Sequence, residues 1–267
     1  MVPPSSEDTS VRLDAAPPRL AGLVESGLHA RLLDQLGTAV CGGRLAPGSV
    51  LYIDDLVEQY AVSRSVVREV LRVLASMGLV ESRRRVGTLI RAASDWNVFD
   101  PQVIRWRLAS AGRLAQLRSI TELRAAVEPQ AASLAAARAT PDQASDLVGL
   151  AAKLWAAGTA GNEAEFLRLD IEFHRLVLVG SDNEMFVKLH ELVAEVLAGR
   201  YHYDLMPHFP HEEALQLHAE VAQAVQRRDG ERARTAMVQI MEQAMTEMST
   251  LWARTGAAPI PADPGLR

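Results

Sequence analysis

The chain has 267 residues, of which 28 are Lys or Arg and 33 are Asp or Glu, so its net charge is -5, and 48% of its residues are hydrophobic. The composition is that of a globular protein, and the length corresponds to one large domain or two domains of ordinary size. No apolar run approaches about 18 residues, and residues 1–20 lack the pattern of a signal peptide. We therefore predict a cytoplasmic protein with no membrane partner. The single cysteine, Cys41, excludes an intramolecular disulfide and a cysteine-rich zinc site.

The first third of the chain alternates short helical patterns with turn signals. Residues 1–20 contain four prolines and little apolar surface, which predicts a disordered arm. After it the pattern predicts, in order, a helix from residue 23 to about 42, a turn at 45–49, a helix at 53–60 and a helix from 63 to about 78. Two short β-compatible runs at 79–83 and 88–91 then predict a hairpin. Together these elements predict a winged helix-turn-helix domain at residues 21–94.

The remaining sequence is mostly helical. Residues 95–102 are predicted to form a linker, and residues 103–253 have the amphipathic spacing of an all-helical antiparallel bundle with six or seven helices. Helix breaks are predicted near residues 112, 140–141, 158–161, 181–183, 207–210 and 229–230. The proline-containing residues 254–267 are predicted to be a flexible tail. The predicted fold class is therefore mostly α, with an N-terminal winged helix-turn-helix and a C-terminal helical bundle.

Basic residues are concentrated in the predicted winged domain. Between Arg64 and Arg91 there are seven arginines and only two glutamates, although the whole chain is acidic. A local positive potential of this kind is typical of a DNA-binding module attached to another domain. At the start of the third helix Arg64, Ser65 and Arg68 lie opposite the apolar stripe, where they could enter a major groove.

The ordered motifs of this region resemble the GntR family of bacterial transcription regulators, and specifically its FadR subfamily. The resemblance rests on four segments, residues 45–48 (LAPG), 56–63 (LVEQYAVS), 63–71 (SRSVVREVL) and 78–81 (GLVE) followed by Gly87. It implies that Arg64 and Arg68 contact DNA and that Gly87 approaches the minor groove. The alternative for the two arginines is a solvated helix face paired with Glu69.

The predicted hairpin turn leaves two interpretations open. The arginines at its tip, including Arg83 and Arg85, could contact phosphates or form a solvated turn. Val86 stands where the family usually has arginine, and Ile53 replaces a commonly acidic position. Base preference therefore cannot be transferred from other family members.

The C-terminal part resembles the FCD-type ligand-binding domain, a dimerising helical bundle. Asp170 and His174 are four residues apart and therefore share one helix face. The resemblance implies that Asp170, His174 and His218 hold a divalent metal, Zn²⁺ or a similar ion, and contact an effector. The fourth family position falls on Ile240, which cannot bind a metal. The alternative is an ordinary polar cluster with no metal, so no cofactor is certain.

Arg124 is the predicted anchor for the carboxylate of an effector, because an arginine in an alanine-rich bundle needs an acidic partner. The alternative partner is Glu128, one helical turn away, in a structural salt bridge.

We therefore expect a homodimeric, ligand-responsive repressor that binds an inverted-repeat DNA operator and is not an enzyme. The segment 95–106 resembles galactonate-type sugar-acid regulators, which implies a small carboxylate effector such as galactonate or gluconate. Three alternatives remain open: another carboxylate or acyl effector, a metal-dependent enzyme, and a bundle that only dimerises. A sealed bundle with no cavity near Arg124 and His174 would favour the last.

Overall fold

A computed structural model describes residues 25–203, 205 and 211–255, with side chains described for 27–203, 205 and 211–249. The predicted arm at residues 1–20 lies outside these ranges, as does the predicted tail after Thr255. The chain divides into two compact units between Arg113 and Leu114. None of the helices in the described ranges has the length and apolar character needed to cross a membrane.

The first unit is a winged helix-turn-helix. Its elements are α1 (Glu25–Cys41), β1 (Val50–Leu51), α2 (Ile53–Tyr60), α3 (Arg64–Ser76), β2 (Val80–Arg83), β3 (Gly87–Ile90), a short 3₁₀ turn (Ala93–Asp95) and α4 (Pro101–Leu108). The three strands form an antiparallel sheet in the order β1-β3-β2, with Val50 opposite Leu89 and Arg83 opposite Gly87. The predicted winged fold is confirmed. Strand β1 was not predicted, because two residues are too few to show an alternating pattern.

The core of the first unit lies between α1, α3 and α4. Val67, Val70 and Leu74 of α3 are fully buried, and they repeat at the three- and four-residue spacing of one helix face. Trp106 of α4 is 2% exposed, and its indole N–H donates to Oδ1 of Asp34 at 2.7 Å. A Cβ on Gly37 would lie 2.4 Å from the Trp106 ring, so only glycine permits this approach.

These contacts place α4 within the first unit, although the sequence analysis assigns residues from 103 onwards to the helical domain. The predicted linker at 95–102 contains the end of the 3₁₀ turn and the start of α4. Trp96 packs against the core of the same unit, and its indole N–H donates to the carbonyl oxygen of Arg91 at 3.3 Å.

The second unit is all-helical. Its elements are α5 (Arg113–Arg138), α6 (Pro141–Thr159), α7 (Glu163–Gly180), α8 (Glu184–Lys188), α9 (His190–His202), α10 (Glu212–Gln226) and α11 (Gly230–Thr255). Helix α6 packs on α7 and α10, α7 packs on α9, and α10 packs on α11. The predicted mostly α fold class, with an all-helical C-terminal part, is confirmed.

Local signals explain where several of these helices begin. Thr140 and Gln143 form a reciprocal capping box at the start of α6. Asn162 and Asn183 accept backbone N–H groups at the starts of α7 and α8. The break at Leu189 between α8 and α9 was not predicted, because no Gly or Pro marks it. The predicted break at 207–210 lies outside the described residues.

Candidate functional site

Helix α3 presents its charged N-terminal face to solvent. It begins at Arg64, and the Oγ atom of its N-cap residue Ser63 accepts the N–H of Val66 at 3.3 Å. This cap satisfies one of the backbone donors at the helix start. Arg64, Ser65 and Arg68 are all exposed, because the opposite face is occupied by the buried stripe. The two arginines predicted to contact DNA therefore share one exposed helix end.

Arg64 has a partner that sequence reasoning missed. Its guanidinium forms an ion pair with the carboxylate of Asp54 in the first turn of α2, and the two side chains are 61% and 69% exposed. An exposed pair of this kind contributes about 1 kcal/mol or less. Asp54 therefore orients Arg64 without preventing it from contacting another group. The sequence carried no signal for this contact, because it depends on the packing angle between α2 and α3.

The hairpin between β2 and β3 carries the other predicted DNA-binding residues. Arg83 and Arg85 are exposed, and Nη2 of Arg83 lies 3.2 Å from Oε2 of Glu81. Arg85 has a φ of 65°. Gly87 has a φ of 123°, and a Cβ there would lie 2.6 Å from Cγ1 of Val50. Glycine at this position is therefore required by the packing of β1, whatever its distance from DNA.

The second unit brings four predicted effector residues together around one cavity. Arg124 lies on α5, Asp170 and His174 lie on α7, and His218 lies on α10. They are 3%, 4%, 2% and 4% exposed, respectively. All four line a cavity of about 80 Å³. Buried polar groups of this kind need partners inside the protein or in a ligand.

Arg124 makes the salt bridge that the sequence analysis left as an alternative. Its Nε donates to Oε1 of Glu128 at 2.6 Å, and its Nη2 lies 3.5 Å from Oε2 of the same residue. Nη2 also lies 3.3 Å from Nε2 of His174. Burial raises the pKa of the Glu128 carboxyl, but the charges of Arg124 and His174 outweigh it and lower that pKa to about 2.

His174 is held between two carboxylates. Its Nδ1 lies 2.5 Å from Oε2 of Glu128, and its Nε2 lies 3.5 Å from Oδ1 of Asp170. Burial lowers the pKa of His174, but Glu128 outweighs it and raises that pKa to about 9, against an opposing effect of Arg124.

The donor set of Asp170, His174 and His218 fits a divalent metal ion. One potential ligand atom from each lies within 4.8 Å of the others. Nδ1 of His218 lies 2.6 Å from the carbonyl oxygen of Ala214, to which it can donate, and Nε2 then faces Oδ1 of Asp170 at 3.1 Å. A histidine that donates through one nitrogen presents the other to a metal. Burial raises the pKa of the Asp170 carboxyl, but the two histidines beside it hold that pKa well below its usual range.

Ile240, at the position where the family has a fourth metal ligand, adds no ligand. Ile240 lines the same cavity with an apolar side chain, as the sequence implies. A metal ion here would therefore have three protein ligands and would leave coordination positions for another molecule.

Arg200 and Glu247 are cavity residues that the sequence analysis missed. Arg200 lies on α9, is 5% exposed, and pairs through Nη2 with Oε2 of Glu247 on α11. Its Nε has no hydrogen-bond partner among the residues that the structure describes. The sequence does place Arg200 at the end of an otherwise apolar helical stripe, which could have indicated a buried arginine. An arginine in the last turn of a helix is, however, also typical of an ordinary helix C-terminus.

Comparison with known protein families decides the identity of this architecture. Residues 28–90 match the family described as bacterial regulatory proteins, gntR family, and residues 119–243 match the FCD domain. The chain is 30% identical over 212 residues to the galactonate operon transcriptional repressor of Escherichia coli K12, covering 77% of this chain and 90% of that protein. The chain belongs to the GntR family.

Other relatives of this GntR-family protein are also regulators. It is 31% identical over 161 residues to the HTH-type transcriptional regulator LutR of Bacillus subtilis 168, covering 58% of this chain and 68% of LutR. A solved structure of Streptococcus agalactiae GntR aligns with a TM-score of 0.47 and 25% identity, over 83% of this chain and 99% of that one.

This GntR-family protein is a DNA-binding transcription regulator with an FCD domain. The matching families and relatives are transcription regulators and not enzymes, which confirms the expected class and removes support from the alternative of a metal-dependent enzyme.

Proposed function

We propose that this regulator is a homodimeric repressor of a sugar-acid catabolic operon and that a small carboxylate effector, such as galactonate or gluconate, releases it from its operator. The observation that carries the proposal is the cavity around which Arg124, Asp170, His174 and His218 meet. Pockets with a few convergent polar groups and perturbed pKa values are typical of ligand sites. A bundle that only dimerises would need no such cavity.

The chemistry of the cavity supports a small polar effector. Its four buried polar side chains, those of Arg124, Asp170, His174 and His218, argue against a long acyl chain, because polar groups buried against hydrocarbon without a hydrogen-bond partner are unfavourable. Asp170 and the histidines offer acceptors and donors to hydroxyl groups, and the arginines offer charge to a carboxylate. The name of the E. coli relative, the galactonate operon transcriptional repressor, supports the sugar-acid class.

We assign DNA contact to the exposed face of the first unit. Arg64, Ser65 and Arg68 would enter a major groove of an operator in the cytoplasm, and Arg83, Arg85 and Gly87 of the hairpin would lie along the adjacent backbone and minor groove. Two copies related by a two-fold axis match an inverted repeat.

A divalent ion would be held by Asp170, His174 and His218. When bound, it supplies a positive charge that can coordinate a carboxylate or hydroxyl oxygen of the effector. The protein side chains orient it, and Glu128 fixes the ring of His174 from the opposite side. Mass spectrometry of the purified protein should detect about one ion per chain, and the Asp170→Ala variant should lose it. A wild-type protein that binds no added Zn²⁺ would contradict this part of the proposal.

Release from DNA requires the effector to bind the free and DNA-bound states differently. A difference of about 1–3 kcal/mol changes operator affinity roughly 5- to 150-fold. Because effector and DNA linkage is reciprocal, the operator should weaken effector binding by the same factor. Measuring both affinities tests whether one coupling free energy accounts for the response.

The experiment uses the full chain and a double-stranded site selected in vitro for binding. Fluorescence anisotropy should show that galactonate or gluconate lowers operator affinity, and light scattering should give a dimer. Arg64→Ala and Arg68→Ala should each weaken binding about 5- to 150-fold and reduce its salt dependence. The matched control is Arg118→Ala, which removes one exposed charge from α5 in the second unit.

Two outcomes would contradict different parts of the proposal. Operator affinity that is unchanged by every sugar acid tested would remove the effector class. Equal effects of Arg64→Ala and Arg118→Ala would remove the assignment of α3 as the element that contacts DNA.

A further inference from the structure

Two buried arginines line the cavity, and they differ in how fully their charges are compensated. Arg124 and its partner Glu128 both have side chains that are 2% exposed. Arg200 is also buried, with a side chain that is 6% exposed, but its partner Glu247 is 30% exposed. Water therefore screens the attraction between Glu247 and Arg200 more strongly than that between Glu128 and Arg124.

The hydrogen bonds of the two arginines also show that Arg124 is more fully compensated than Arg200. Arg124 uses Nε and Nη2 on the two oxygens of Glu128, and Nη2 also contacts His174. Arg200 uses Nη2 on Glu247, while its buried Nε has no partner among the described residues. A buried, charged N–H donor without an acceptor is unfavourable, and an anionic oxygen is the acceptor that satisfies it best.

The surroundings of Arg200 also favour an added anion. Burial lowers the pKa of the Arg200 guanidinium, the nearby charge of Arg124 reinforces that effect, and the carboxylates of Glu247 and Asp170 oppose it. A carboxylate placed beside Arg200 would offset both the burial and the repulsion between the two arginines. Nothing comparable is needed at Arg124, whose charge is already compensated by a buried carboxylate.

We propose that Arg200, and not Arg124, binds the carboxylate of the effector, while the cluster of Asp170, His174 and His218 binds its hydroxyl groups. This inference rests on the proposed function and adds a recognition rule to it. The effector class is then a hydroxy acid whose carboxylate and hydroxyl groups contact these two polar regions of one cavity. Its carbon atoms would lie against the apolar side chains of Phe166, Leu197 and Met241, which also line the cavity.

Arg124 has a different role in this arrangement. Together with Glu128 it holds His174 in place, so it is a positioning residue for the hydroxyl-binding cluster. Loss of Arg200 should therefore remove discrimination for the acid group, whereas loss of the cluster should affect acids and neutral polyols alike.

The experiment compares acids with matched neutral polyols. Isothermal titration calorimetry of the full-length protein would measure galactonate against galactitol and gluconate against glucitol, since each pair differs in replacing the carboxylate by a hydroxymethyl group. The wild-type protein should bind at least one acid about 30-fold or more tightly than its polyol. Arg200→Gln should reduce acid affinity about 10- to 100-fold and change polyol affinity less than about 3-fold.

Two further variants keep the test decisive if Arg200→Gln does not fold. Glu247→Gln removes the competitor for Arg200, so it should raise acid affinity about 3- to 10-fold without changing polyol affinity. Arg168→Gln is the matched control, because it removes an exposed arginine on α7 that pairs with Glu165. It should leave both affinities unchanged.

The outcomes separate the inference from the function on which it rests. A wild-type protein that binds none of the acids overturns the proposed effector class and the inference with it. Acid binding that is retained in Arg200→Gln with the same preference over the polyol, or weakened by Glu247→Gln, overturns the role of Arg200 alone.

Discussion

Replacing Glu128 by Gln should strongly destabilise the helical unit. The substitution keeps the shape of the side chain but removes the negative charge that lies between Arg124 and His174. Arg124 is buried and would then lose its carboxylate partner, while His174, also buried, would keep only Asp170. Breaking a buried ion pair from one side costs about 3–5 kcal/mol.

The same helix contains a matched control. Arg118 and Glu122 of α5 form a pair with the same residue types, order and four-residue spacing, and Nε lies 2.7 Å from Oε1. Both side chains are 51% exposed, so Glu122→Gln should cost only about 0.3–0.5 kcal/mol. Sequence separation, residue types and charge change are the same in the two variants, whereas burial and the additional contact of Glu128 with His174 differ.

The free energy of unfolding can be measured by urea titration followed by circular dichroism at 222 nm, with a chelator present to remove any bound metal. Glu128→Gln should shift the main helical transition to much lower urea, and Glu122→Gln should leave it nearly unchanged. If the two variants lost similar stability, burial of the Arg124–Glu128 pair would not govern its contribution, and the reasoning would be wrong.

Three further predictions concern pH and the first unit. The pKa of Glu128 is lowered to about 2 in the folded chain. Its carboxylate therefore stabilises the fold fully above the unfolded pKa near 4.5, and this stabilisation is lost as the pH falls towards 2. Urea titrations at a series of pH values should show that the difference in unfolding free energy between the wild type and Glu128→Gln narrows below about pH 5. Gly87→Ala should destabilise the hairpin by about 1–3 kcal/mol, since φ is 123° and the new Cβ would meet Val50. Amide hydrogen exchange should become faster in β1 to β3 but not in α5 to α11. Unchanged protection of the three strands would contradict this prediction. Trp106→Phe should cost about 1 kcal/mol through the lost bond to Asp34, seen as faster exchange in α1 and α4, and no change there would show that the bond contributes nothing.

Local signals in the sequence were sufficient for most elements of the fold. The second helix was predicted at residues 53–60, and α2 has those bounds. Thr140 with Pro141, and the residues around Asn183, also marked real helix starts. These features are encoded by neighbours in sequence, because caps and helix-compatible spacing act within one or two turns.

Elements that depend on distant partners were not predictable in the same way. Strand β1 exists because Val50 and Leu51 pair with Leu89 and Thr88. Helix α4 packs in the first unit because Trp106 lies against Gly37 of α1. In both cases the local sequence is compatible with several structures, and a long-range contact selects one of them.

The sequence by itself determined which residue types were available for binding: the arginines at the start of α3, and the Asp170, His174 and His218 set. Tertiary structure alone decided how their charges are paired. It placed Glu128 against His174 as well as Arg124 and Asp54 against Arg64. It also placed Arg200 beside the cavity with an Nε that has no hydrogen-bond partner among the described residues. The physical reason is that helix periodicity fixes the side of a helix on which a residue lies, whereas its partner on another helix depends on how the two helices pack.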